Sequence, residues 1–402
     1  MVRHVDTPLN RWWRAPVPAP PETLRRGPFR PGRFGSALRS VRLTSLLGIA
    51  LGVAFGVCFV TGLISHLVQH PPGWFWWPSR PAGLYRFNQG VHVATGLATV
   101  PLLGAKLWSV YPRLFAWPPV RSIAHAAERA SVGVLVAAAL FQLVSGVLNV
   151  SRWYAPMRFY FPAAHYWVAW LVVGAMLVHI GVQLPVVRTA LARHVPVPER
   201  EGLSRRGLLG AVGAAAGLIT LTTVGQTVRP LSRLAVLAPR LPHVGPQGLP
   251  VNATATGAGV AGLVRDPSYR LVVTGPRGQV GLDLAALAAL PQHTAELPIA
   301  CVEGWSASGR WTGVRLRDLV ALVETDPDRA TVLVESLQTG GRYRSATVPP
   351  EHIRDPLTLV ALRLGGEPLH PDHGYPARLI APNRPGVLQT KWIGRITVQG
   401  AR

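Results

Sequence analysis

Cys301 lies within Pro298-Ile-Ala-Cys-Val-Glu-Gly-Trp-Ser-Ala-Ser-Gly-Arg-Trp311 and is one of two cysteines in the chain. It follows a short apolar run and meets Gly304-Trp305-Ser306, the layout of a strand ending at a loop. A thiol in that place is either core filler or a soft ligand for a metal ion. A second set of groups able to do chemistry is His92, His165 and His179, each inside a long apolar run. An imidazole in a bilayer is costly, and it marks either a site or a hydrogen bond to a neighbouring helix. Two imidazoles facing each other across a helical bundle can fill both axial positions of a haem iron. His179 follows His165 by 14 residues. That is nearly four turns, so it projects from almost the same face roughly 21 Å further along.

These groups need two scaffolds, and the charge divides the same way. The formal charge of +23 suggests a nucleic-acid binder until it is located. Residues 1–239 hold 24 Lys/Arg against 5 Asp/Glu, whereas 240–402 hold 17 against 13. The excess therefore sits in the apolar half, where basic loops keep membrane helices oriented, and no nucleic-acid partner is expected. Cys58 falls inside an apolar run far from Cys301, so no disulfide framework is implied.

Five apolar runs, about 43–66, 90–111, 129–150, 165–186 and 207–227, are each near the roughly 20 residues that span a bilayer. Nine Lys/Arg precede the first run, and two lie between the first and second. Four (Lys106, Arg113, Arg121 and Arg129) surround the next connection, then come two, then five. This alternation predicts a multi-pass cell-membrane protein with a cytoplasmic N-terminus and an extracytoplasmic C-terminal domain. His92 and His165 then share a depth near the outer face, and His66 sits at the outer end of the first run. Trp74, Phe75, Trp76 and Trp77 suit an interfacial belt in contact with lipid, or a lid over the bundle.

The expected fold is multi-domain: an all-α transmembrane bundle of five spans plus a mixed α+β domain. Residues 1–40, rich in Pro and Arg, read as a disordered basic cytoplasmic tail. Residues 41–190 hold four spans, 191–230 the fifth, 231–262 a linker, and 263–402 the outer domain. In that domain 270–274, 331–334 and 378–381 read as strands, and 282–290 and 314–323 as short helices.

Cys301-Val-Glu-Gly-Trp-Ser306, followed by Arg310-Trp-Thr-Gly-Val-Arg-Leu-Arg-Asp-Leu319, resembles the signature of the sulfite-oxidase-fold molybdenum enzymes. It is most similar to the catalytic subunits of bacterial periplasmic methionine-sulfoxide reductases. The resemblance covers roughly residues 240–400 and implies a molybdenum–molybdopterin cofactor, with the Cys301 thiolate bound to molybdenum beside a pterin dithiolene. It further implies that His373, Arg378, Gln389, Thr390 and Lys391 form the phosphate-binding end, with the Ser336 hydroxyl near the pterin. Asparagine is common in the family where this chain has His373. Tyr343 and Arg344 either face the metal from the substrate side or cap an exposed hairpin.

Residues 43–190 resemble the cytochrome b subunits of membrane formate dehydrogenases and nickel–iron hydrogenases. That resemblance implies one or two b-type haems on His92, His165 and His179, with quinone as electron partner. The family takes its inner haem's other ligand from the cytoplasmic end of the first helix. Val41–Leu46 holds no histidine there, and His66 at the opposite end competes with His92 or His165 for the outer haem. Ser204-Arg-Arg-Gly-Leu-Leu209 resembles a twin-arginine signal, which implies the twin-arginine translocation machinery as a partner. Together the resemblances imply electron flow from quinone through haem to molybdenum, which reduces a small S- or N-oxide. Oxidation of a sulfite-like oxygen-atom acceptor is the reverse reading, and a non-catalytic sensor is a third.

Overall fold

The computed structural model describes residue 22 and residues 35–36, 38–116, 119–120, 122–192 and 203–399. Most of the tail expected over 1–40 lies outside these residues. Five long helices come first: α1 (Val41–Gln69), α2 (Leu84–Val110), α3 (Ile123–Ser151), α4 (Phe161–Ala192) and α5 (Arg205–Val224). All five are long and apolar enough to cross a membrane. They coincide with the five apolar runs, but most ends lie further out. The backbone ladder continues into flanking polar residues such as Asn88, Gln89 and Glu128, which are good enough helix formers to be carried along.

The chain divides into two compact units. The first takes its described residues from 1–59, 95–149 and 153–220. In it Leu43 and Leu47 of α1 are buried against Leu102 and Ala105 of α2 and Leu208, Leu209 and Val212 of α5. Phe59 meets Trp170 of α4 edge-on at 5.0 Å. Gln142 of α3 donates to the His165 carbonyl at 2.8 Å. Ser204 Oγ accepts from Gly207 N at 3.0 Å and caps α5, so Arg205 and Arg206 occupy its first turn.

The second unit holds 60–94, 150–152 and 221–402. Its centre is two five-stranded sheets. In one, β2 (Gly278–Leu282), β1 (Leu271–Gly275), β10 (Ile393–Gln399), β5 (Thr331–Ser336) and β6 (Ser345–Val348) lie side by side. Only the β1–β10 pair in it is parallel. The other sheet joins β3 (His293–Ala300), β4 (Ser306–Arg315) and β7 (Leu359–Leu364). β8 (Glu367–Pro368) and β9 (Arg378–Ile380) share the far edge of β7. Three short α-helices, α6 (Leu284–Ala289), α7 (Leu316–Val320) and α8 (Pro350–Arg354), accompany the sheets. Leu271 and Val273 of β1, Val332 and Val334 of β5 and Ile396 of β10 alternate inward onto one core with Leu316, Leu319 and Val320. A second core holds Leu297, Ile299, Trp305, Trp311 and Cys301 itself.

The helix expected over 314–323 is shorter than its apolar spacing suggests. Val314 and Arg315 still belong to β4, because they pair with Val360 and Leu359. Gly313, one step earlier, sits at a register shift in that ladder. A Cβ there would strike the Val360 carbonyl oxygen and the Ala361 Cα. Both atoms belong to a strand paired on either side and have nowhere to retreat. Gly313→Ala is expected to cost about 3 kcal/mol, read as a fall in melting temperature of the purified protein.

Candidate active site

β3 ends at Ala300, and Cys301 is the first residue beyond it, as the sequence pattern predicts. The chain turns back within four residues: Gly304 N donates to Cys301 O at 3.0 Å, and Cys301 N to Trp305 O at 2.9 Å. Gly304 closes this turn at φ +95°. Its missing side chain also admits Val93 of α2, whose Cγ2 would lie 2.7 Å from any added Cβ. Conformation and space both demand glycine here.

The Cys301 side chain is 6% exposed, but its neighbours are not those of core filler. The thiol donates to Glu303 Oε2 at 3.1 Å and accepts from Asn252 Nδ2 at 3.1 Å. Asn252 Nδ2 also donates to Glu303 Oε2, and Trp305 Nε1 reaches the same oxygen at 3.3 Å. Arg152 brings its Nε to 3.4 Å from Glu303 Oε1, and its Nη2 donates to Asn252 O at 3.1 Å. Burial first, and then the Glu303 carboxylate, pushes the thiol well above its usual range. Arg152, Asn252 and Glu303 were not singled out from sequence, although Glu303 stands inside the motif.

Residues at the ends of α1 and α2 hold the turn from the other side. Gln89 Nε2 donates to Val302 O at 2.6 Å, and Gln89 Oε1 accepts from Ser65 Oγ at 3.1 Å. Asn383 lies in the turn after β9, at φ +54°. Its Oδ1 accepts from Tyr85 N at 2.6 Å, and its carbonyl accepts from Trp77 Nε1 at 3.0 Å. Pro385 forms an isolated bridge with Ala300, which places this turn beside the thiol loop. Arg80 closes a fork on the buried Asp355, at 2.9 Å and 3.0 Å.

His373, Arg378, Gln389, Thr390 and Lys391 are brought together. Lys391 Nζ donates to Asp372 O at 2.7 Å and Ala253 O at 2.8 Å. Arg378 Nη1 donates to His373 O at 3.1 Å, and its guanidinium lies 5.2 Å from the centre of the Trp311 ring. His373 Nε2 lies 2.7 Å from Pro246 O. Gln389 Nε2 donates to Ala381 O and Arg384 O. Ser336 is the partner of Ile393 across the β5–β10 ladder, two residues from Lys391. Its Oγ accepts from Gln338 N at 3.1 Å. Tyr343 and Arg344 lie in the β5–β6 loop, Tyr343 37% exposed, and Arg344 Nη1 donates to Thr339 O inside that loop.

The electrostatics of this cradle are unbalanced. Burial lowers Arg378 to about 9 and, with the Arg378 charge, lowers Lys391 to about 7. Burial likewise takes His373 to about 4. No carboxylate lies within ion-pair distance of Arg378 or Lys391 among the described residues. Arg378 Nε, Gln389 Oε1, Thr390 Oγ1 and Arg384 Nε are buried without hydrogen-bond partners. Of these, Arg378 Nε and Thr390 Oγ1 are open donors beside the Lys391 ammonium, and they define a place for an anion.

The histidines are set individually. His92 Nδ1 lies 3.4 Å from Thr61 Oγ1, with its ring over Gly62. His165 Nδ1 lies 3.2 Å from Ser145 Oγ, with its ring beside Gly146. His66 stacks on His70 at 4.8 Å.

Residues 258–402 match the family described as oxidoreductase molybdopterin binding domain. Mitochondrial sulfite oxidase of Rattus norvegicus is 32% identical over 163 aligned residues, covering 33% of this chain and 30% of that protein. An NADH nitrate reductase of Hordeum vulgare is 36% identical over 110 residues, covering 24% of this chain and 12% of that protein. The sulfane dehydrogenase SoxCD of Paracoccus pantotrophus matches at a TM-score of 0.31 and 21% identity, over 40% of this chain and 46% of that one. The chain thus spans about a third or less of the length of these curated relatives. Residues 258–402 are thus similar to molybdopterin-binding oxidoreductase domains of the sulfite oxidase and nitrate reductase type, which favours an enzyme over the non-catalytic sensor. The five long helices lie outside the matched segment.

The residues present fit that cofactor. The open cradle around Arg378 and Lys391 offers directed donors to a pterin phosphate, and Cys301 offers a soft ligand to the metal. A pH test follows for protein stripped of cofactor. The cost of burying the Lys391 ammonium is full below about pH 7 and fades as pH rises toward the free value of 10.5. The melting temperature of the stripped protein should therefore rise between about pH 7 and pH 9. Loaded protein, whose phosphate favours the charged lysine, should lack that rise.

Proposed function

We propose that the chain is a membrane-bound molybdenum oxidoreductase that passes electrons between quinone, a b-type haem and an extracytoplasmic molybdenum site. The observation that carries this reading is the buried Cys301 thiol, with a carboxylate and an amide on its sulfur, in one domain with an uncompensated cationic cradle. When bound, the molybdenum cofactor supplies two-electron exchange of an oxygen atom with a small substrate. Cys301 holds the metal, while Glu303, Asn252 and Arg152 fix the thiol's orientation and surround it with a closed polar network. Arg378, Lys391, Gln389, Thr390 and His373 hold the pterin and its phosphate, with Ser336 near the pterin. Tyr343 and Arg344 approach the substrate from the β5–β6 loop.

Several features support the membrane part of the reading. Trp167, Leu171, Leu177 and Val178 of α4 are exposed, a surface suited to lipid. Arg205 and Arg206 at the start of α5 oppose the helix dipole, so they serve something other than helix stability. Retention of the N-terminus in the cytoplasm and export through the twin-arginine machinery give them that use. His92 and His165 each have Nδ1 at a hydroxyl, a contact that fixes the ring of a haem ligand. His92 precedes Val93, which packs on Gly304, so a short path along α2 joins the haem ligand to the Cys301 turn.

We favour reduction of an S- or N-oxide, by resemblance to the methionine-sulfoxide reductases. The sulfite oxidase relatives favour the opposite direction. The two separate in one anaerobic experiment on purified protein. If the chain is a reductase, methionine sulfoxide or trimethylamine N-oxide reoxidises the dithionite-reduced haem. If it is a dehydrogenase, sulfite reduces the oxidised haem. A protein holding both centres and responding to neither set contradicts both readings.

A further inference from the structure

The chain does not leave α5 as an open linker. After Val224 it makes two 3-10 turns, Gly225–Thr227 and Arg229–Leu234, and then doubles back. Leu237 N donates to Thr222 O at 2.8 Å, in the last turn of α5. Gly225 lets the returning chain pass close, since a Cβ there would lie 3.3 Å from Leu231 O. Ala235 is buried, but Val228, Leu231, Leu234, Val236 and Leu237 are exposed, Val236 at 75% and Leu237 at 63%. Aliphatic side chains laid bare so close together mark a contact surface. The segment is also basic: it holds Arg229 and Arg233, and no Asp or Glu occurs between Gly202 and Arg265.

We infer that residues 228–237 form a wedge that enters the outer leaflet beside the end of α5, with Arg229 and Arg233 drawn to anionic lipid headgroups. The inference rests on the membrane-bound reading, in which α5 ends at the outer face. The backbone bond from Leu237 to Thr222 identifies lipid as the occupant. It returns the segment to the level of the turn that ends a span, where headgroups give way to acyl chains. Leu218, four residues before Thr222 on the same helix, is exposed as well. A basic segment without carboxylates is attracted by the negative potential of a surface rich in anionic lipid. The wedge also has a link to the thiol loop. Shortly after it, Arg240 Nε donates to Asn252 Oδ1 at 3.3 Å, and Asn252 Nδ2 donates to the Cys301 thiol. Lipid contact at Val236 and Leu237 therefore anchors the stretch that carries the amide partner of Cys301.

The test uses full-length protein in vesicles of phosphatidylcholine and phosphatidylglycerol, spin-labelled at V236C, L171C or R329C, with the signal of labelled wild type subtracted. All three positions are exposed, so the labels leave the fold intact. Collision with oxygen, which concentrates in lipid, and with a water-soluble nickel chelate gives the depth of each label. The label at Val236 should lie about 5–10 Å below the phosphates, that at Leu171 in the acyl region and that at Arg329 in water. Omitting phosphatidylglycerol should raise nickel access at Val236 by roughly twofold or more, and R229Q/R233Q should abolish that response. A Val236 label as open to nickel as Arg329, with Leu171 in lipid, overturns the inference alone. So does a Val236 label shielded from oxygen and nickel alike, the result of contact with a second copy or another protein. No response to phosphatidylglycerol overturns the headgroup assignment, and a Leu171 label in water overturns the membrane reading itself.

Discussion

Cys301→Ser should leave a folded protein with an unchanged haem spectrum, no retained molybdenum and activity at background. The exchange is nearly isosteric. A serine hydroxyl can still donate to Glu303 and accept from Asn252, so the expected cost to stability is about 1 kcal/mol. A hydroxyl is a hard donor that resists deprotonation, however, and it cannot replace a soft thiolate on a heavy metal. The thiol is held high by burial and by Glu303 in the protein alone. Metal binding must therefore displace a proton from Cys301, and no other cysteine stands in the matched domain. Melting temperature and metal content, measured on the same preparation, separate loss of the ligand from loss of the fold.

Arg378→Met should move cofactor retention and stability of the stripped protein in opposite directions. The guanidinium is 2% exposed, stacks on Trp311 and makes one hydrogen bond, to His373 O. Without an anion it is a buried charge that burial alone disfavours. Replacing it with an apolar side chain of similar length is then neutral or stabilising. With the phosphate in place the same change removes charge-assisted bonds worth about 3 kcal/mol, or roughly 150-fold in affinity. Pterin released on denaturation reports the first effect, and thermal melts of stripped wild type and R378M report the second. A variant that loses stability and keeps its pterin would mean that Arg378 is a structural residue.

The five helices were legible because each is a long unbroken apolar run, a pattern that needs no tertiary information. Strands β1, β5 and β9 were legible from short apolar runs between turn residues, and Cys301 from its place at the end of such a run. β4 was not, because Ser306-Ala-Ser-Gly309 carries little strand preference. Its pairing with β3 and β7 on both sides supplies what the residues lack. The partners of the thiol were hidden for another reason. Asn252 is 49 residues from Cys301 in the chain, within a Pro- and Gly-rich stretch that reads as linker. Arg152 follows α3 and meets Glu303 only through the fold. Sequence spacing carries no signal for either contact. Gly304 was visible as part of a motif, yet its reason, the approach of Val93, belongs to a helix more than two hundred residues earlier.

The direct test of the central claim is molybdenum-edge X-ray absorption on purified wild-type protein and C301S, each grown with ample molybdate. The account predicts molybdenum in the wild type with one sulfur bond beyond those of the pterin dithiolene, and loss of that bond or of the metal in C301S. Identical sulfur coordination in the two proteins, or a wild type without molybdenum, would contradict it.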